Sequence, residues 1–156
     1  MIATAGRLAF AFLLAVLATA IAASIVQTQF NLSALTALGA PVTPSIRALT
    51  TLQDIAFFGP VMAAITAAAF LPGLAAASLV SHAFPIARGL IHAVAGAVSL
   101  WTAFEVMGVF TPMPTLVAAA RTTEGLLALS STGLIGGAIF ARLTGRHRLS
   151  PARAVA

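Results

Sequence analysis

Between Arg7 and Arg47 the chain carries no charged side chain, and between Asp54 and Arg88 it again carries none. Each gap exceeds the roughly 20 apolar residues that cross a hydrocarbon core of about 30 Å. Only 7% of the 156 residues are charged, whereas soluble domains carry about 25%. Eight arginines and three acids cannot clothe a water-facing surface, and the mean hydropathy of +1.07 agrees. Lipid is therefore the solvent for most of this chain.

Inside a bilayer only helices and closed barrels satisfy the backbone. Barrel strands show about 10 residues of alternating pattern. The apolar runs here are long, continuous and rich in Ala and Leu. The fold class is all-α: an integral membrane bundle of four transmembrane helices, with short interfacial helices on the extracytoplasmic side. The length suits one bundle, residues 1–143, followed by a basic cytoplasmic tail, 144–156.

The four spans fall at about residues 8–26, 55–80, 89–110 and 125–141. The first also resembles a secretory leader, because Arg7 and an apolar run precede Ala20-Ile21-Ala22. The run is longer than a leader core of about 7–15 residues, which favours a retained span. Gln27, Gln29 and Asn31 mark the exit from the membrane. Asn31 is a candidate N-cap for a short helix ending at Gly39. A second short helix from Ser45 would turn Ile46, Leu49 and Leu52 toward the membrane and Arg47, Thr51 and Asp54 away from it. Pro60 is harmless in a first turn, whereas Pro72-Gly73 should kink or break the second span. Residues 115–124 form another candidate interfacial helix, with Arg121 and Glu124 one turn apart.

With four spans, one side holds Arg7, Arg88, Arg142, Arg146, Arg148 and Arg153, and the other holds Arg47 and Arg121. The positive-inside rule places both termini in the cytoplasm. The basic residues are all Arg and Ala is abundant, a bias that points to a bacterial inner membrane protein from a GC-rich genome.

Glu105 is the one acid inside a span, about 7.5 Å from the end of its helix at Phe110. It can pair with Arg121 or Arg47, or couple an ion in a transporter. Together with Asp54 and Glu124, these residues form the candidate polar site. His92 and His82 lie toward the other side; a hydrogen-bonded role fits them better than metal or haem ligation. Gly133 and Gly137, followed by Ala141, make a small-residue ridge that lets helices approach closely. Arg142, Arg146 and Arg148 suit lipid headgroups.

The chain has no Cys, so thiolate and disulfide chemistry is excluded. It also lacks G-x-S-x-G, H-E-x-x-H and phosphate-loop motifs. No catalytic residue, metal or cofactor is expected. Nucleic acid is not an expected partner, because no folded soluble surface accompanies the basic charge. The expected function is non-enzymatic: helix packing as an accessory subunit of a membrane complex or as a homo-oligomer. A small transporter or channel subunit using Glu105 is the alternative.

Overall fold

In the computed structural model, residues 2–110 and 117–145 are described, and among them the regular structure is helical throughout. The chain forms α1 (Ile2–Ala37), α2 (Pro44–Phe57), α3 (Gly59–Ala83), α4 (Arg88–Phe110) and α5 (Thr123–Thr144). Short 3-10 turns, Pro85–Ala87 and Ala118–Arg121, precede α4 and α5. Four of the helices, α1, α3, α4 and α5, are long and apolar enough to cross a membrane. Arg146 and Arg148 of the expected headgroup cluster, and the 111–116 link, lie outside the described residues.

The four long helices close into a ring. α1 packs on α3 and α5, and α4 packs on the same two. The core is built from small and large residues in alternation: Ala11, Ala15, Ala20 and Ala23 of α1 against Met62, Phe70, Leu100 and Leu129 of the other three. Small residues suit a bundle in lipid, where helices associate through close packing more than through exclusion of water.

α1 is longer than its apolar run suggests. Asn31 does not cap a new helix; it lies within α1, which continues to Ala37. The chain leaves its apolar stretch at Gln27 without leaving the helix, because Gln, Asn and Ser interrupt hydropathy but not backbone hydrogen bonding. The stop is Gly39, whose φ of +85° is left-handed and free of cost only for glycine. α2 then begins at Pro44, with Thr43 as its N-cap accepting from the Ile46 N–H.

Residues 55–57, expected to open the second span, belong to α2. The join to α3 is a single residue, Phe58, held between Asp54 and Met62 by backbone bonds on both sides. Pro60 sits in the first turn of α3, as its missing N–H requires. The expected break at Pro72 is not seen: α3 runs unbroken through it, with Pro72 on the exposed side. Arg121 and Glu124 also do not share a helix. Arg121 ends the 3-10 turn and Glu124 lies in the first turn of α5, with the N-cap Thr122 between them. There the carboxylate meets the positive end of the helix dipole.

Candidate functional site

Two polar clusters lie at opposite ends of the ring. The first fastens the end formed by α2 and the Ala118–Arg121 turn. Three consecutive α1 residues do this work, because 100° per residue fans them over about 200° of the helix surface. Gln27 is buried, and its Oε1 accepts from the Ala119 N–H at 2.9 Å. Thr28 Oγ1 lies 2.7 Å from Asp54 Oδ2 and 2.8 Å from the Ser24 carbonyl. Gln29 accepts from Arg47 Nη1 at 2.6 Å and donates to Thr51 Oγ1 at 3.1 Å.

Arg47, Thr51 and Asp54 therefore turn toward α1, as their helical spacing separates them from Ile46, Leu49 and Leu52. Those three apolar side chains are exposed. α2 thus shows a polar face to the bundle and an apolar face outward. This is the inverse of a helix on a water-soluble protein and fits an interfacial surrounding.

Gln27 is the bolt between α1 and the turn before α5. Gln27→Leu leaves the Ala119 N–H buried without its partner, so stability should fall by about 1–3 kcal/mol. Gln27→Glu keeps an acceptor and should lose less. Unfolding in mixed detergent micelles reads both.

The second cluster joins α3, α4 and α5 at the other end. Arg88 donates to Thr144 Oγ1 at 2.6 Å and to Ser81 Oγ at 3.4 Å. His92 is fully buried; its Nδ1 donates to the Arg88 carbonyl at 2.8 Å, and its Nε2 lies 3.2 Å from Ser78 Oγ. Its ring stacks on Phe140 with centroids 5.7 Å apart. His82 is exposed, and its Nδ1 bonds the Ser78 carbonyl at 2.6 Å. From sequence Arg88 counts only as a topology-setting charge, and this cluster is not apparent. A signal was present: α3 and α4 are antiparallel about residues 84–87, so Ser78 faces His92 and Ser81 faces Arg88.

Glu105 stands apart from both clusters. It is exposed on α4 and accepts from Trp101 Nε1 at 3.1 Å. Beside it is a recess of about 150 Å³ lined by Phe104, Gly108, Val109, Ala120 and Leu126. Arg47, one of its expected partners, is bound to Gln29 instead. Arg121 and Glu124 are exposed near the start of α5. The candidate polar residues thus divide: Arg47 and Asp54 join α1, while Glu105 lies on α4. Arg142 is exposed in the last turn of α5.

The ridge of α5 is packed within the ring. A Cβ on Gly133 would meet the Gly96 backbone, and one on Gly137 would meet the His92 and Ala93 backbone of α4. Gly136 turns the other way, toward Ala15, Thr19 and Phe70. Two adjacent glycines so bring α5 against α4 on one side and α1 on the other. Ala141 is buried one turn below Gly137.

Along the outside of α3 and α4 runs an apolar groove of about 1170 Å³. Ala68, Gly73, Ala76, Val94, Val98 and Thr102 are among its walls. Its two α4 hydroxyls are engaged by their own helix: Ser99 bonds the Ala95 carbonyl and Thr102 the Val98 carbonyl. Among the described residues, no group of three His, Asp or Glu is placed to hold a metal. Comparison with protein-family models, with curated proteins and with solved structures gives no match.

Proposed function

We propose that this chain is a small, non-enzymatic integral membrane protein that acts by packing its α3–α4 face against a transmembrane helix of another chain. The partner is a subunit of a larger membrane complex or a second copy. The groove between α3 and α4 carries the reading. Its lining sets Gly73 and several alanines among larger Ile, Val, Leu, Met and Phe side chains, and among the described residues both of its α4 hydroxyls bond their own helix. Small-residue surfaces of this kind let helix backbones approach in lipid. The glycine ridge of α5 supports the same choice by elimination, because Gly133 and Gly137 already face α4.

The setting is the bacterial inner membrane, with both termini in the cytoplasm. The arginine distribution supports that orientation: Arg7, Arg88 and Arg142 lie toward one end of the ring and Arg47 and Arg121 toward the other. Arg142 there meets lipid headgroups, in keeping with its exposure. A transport role through Glu105 draws little support from an exposed carboxylate hydrogen-bonded to Trp101.

The test is assembly. Native mass measurement of the parent in mild detergent should find it with other subunits or as an oligomer. Ala76→Trp and Ala68→Trp, both at exposed positions on the groove, should release a monomer of unchanged thermal stability. A parent that is a partnerless monomer, in detergent and in membrane discs alike, would sink the reading.

A further inference from the structure

We infer that the junction of α1, α2 and α3 is a binding site for a small monovalent cation, held by the Asp54 carboxylate with the hydroxyls of Thr28 and Ser24. This goes beyond the assembly role and rests on different residues.

The first observation is a set of unused hydroxyls. Ser and Thr within helices ordinarily donate to a carbonyl three or four residues back. Thr36, Thr51, Ser78, Ser99, Thr102 and Thr144 all do so here. Thr19, Ser24, Thr66 and Ser130 do not; their oxygens are buried with no hydrogen-bond partner among the described residues. Exposure is 0% for the first three and 7% for Ser130. Unsatisfied buried polar groups call for an explanation, and a bound ion or water is the usual one.

The second observation is where they lie. The Ser24 hydroxyl and the Asp54 carbonyl each stand 3.9 Å from the point a Cβ on Gly59 would occupy. Ser24 is therefore at the join of α2 and α3. One turn further along α1, Thr28 Oγ1 touches Asp54 Oδ2 at 2.7 Å. Thr28 has a single proton for two acceptors, and its lone pairs are free to meet a cation. Thr66, seven residues from Gly59, lies on nearly the same face of α3 about 10.5 Å along it, whereas Thr19 faces Gly136 of α5.

The donor set fixes the ligand class. Every group is an oxygen, which suits a hard cation and not a thiophilic or imidazole-seeking metal. There is one carboxylate, so a monovalent ion leaves the site neutral; a divalent ion would leave a net charge in a partly buried place. Arg47 does not supply the counter-charge, since it is seven residues away on α2 and bound to Gln29.

Thermal unfolding of the purified full-length protein, in detergent with NaCl, KCl or choline chloride at one ionic strength, tests the site. Sodium or potassium should raise Tm over choline by about 3 °C or more, saturating with concentration. Ser24→Ala should abolish that rise and leave Tm in choline unchanged, because the hydroxyl bonds nothing in the protein. Asp54→Asn, which keeps an acceptor for Thr28, should also abolish it. Equal Tm in all three salts, or a cation-dependent rise that survives either substitution, would overturn the site.

Discussion

Gly133→Leu is expected to abolish formation of the bundle, and Gly133→Ala to destabilise it by at least about 2 kcal/mol. Overpacking a core usually costs about 1–3 kcal/mol, because neighbouring side chains turn aside. Here the obstacle is backbone. The new Cβ would meet the Gly96 carbonyl, and one on Gly96 would meet the Gly133 carbonyl in return. A peptide group has no rotamer to change, so α4 and α5 must part along their length and lose contacts on either side of the crossing. Once parted, they accommodate a second methyl at little further cost, so Gly96→Ala with Gly133→Ala should fall short of the sum of the two. Gly89→Ala is the control: nothing stands within 4 Å of its Cβ, and helix propensity should leave stability unchanged or raise it by up to about 1 kcal/mol. Denaturant titration in mixed micelles measures the series. A Gly133→Ala protein as stable as the parent would contradict the crossing.

The second large effect is at Phe70, the largest fully buried side chain among the described residues. In soluble cores Phe→Ala costs about 3–5 kcal/mol, part of it the transfer of apolar surface from water. For a helix that remains in lipid when the bundle opens, the transfer part largely vanishes. The cavity part stays: on the order of 100 Å³ at about 24 cal/mol per Å³ gives roughly 2 kcal/mol. Phe70→Ala is therefore expected to cost about 2 kcal/mol by the same titration. Phe70→Leu should recover about half of it. A loss above about 4 kcal/mol would mean that unfolding exposes Phe70 to water, restoring the transfer part.

The helical class and the four long apolar helices were legible because charge is confined to a few positions. Gly39 was legible too, by its own backbone chemistry, and the start of α2 to within one residue, Ser45 against Pro44. The polarity at Asn31 suggests a helix boundary, yet α1 runs through it, because polar side chains on a helix can find partners on a neighbour. The two faces of α2 were visible in the spacing of Ile46, Leu49 and Leu52 against Arg47, Thr51 and Asp54. What the polar face touches was not, since Gln27, Thr28 and Gln29 lie in another helix with neutral side chains. Charge draws attention to Glu105, which is exposed, and away from the buried His92 and the half-buried Arg88. The unpartnered hydroxyls of Ser24 and Thr66 had no signature at all, because a back-bonded serine and a free one are the same letter.

One consequence follows from the length of α1. Its 36 residues make a rod of about 54 Å, against a hydrocarbon layer of about 30 Å. On the membrane placement proposed above, with Arg7 at one interface, the opposite boundary falls near Gln27, where the residues that carry α2 begin. α1 is in effect a ruler: the count from Arg7 to Gln27 sets the height at which Arg47 and Asp54 stand. Shortening that interval by one turn would lower the polar cap by about 5 Å, into a medium that charged groups avoid.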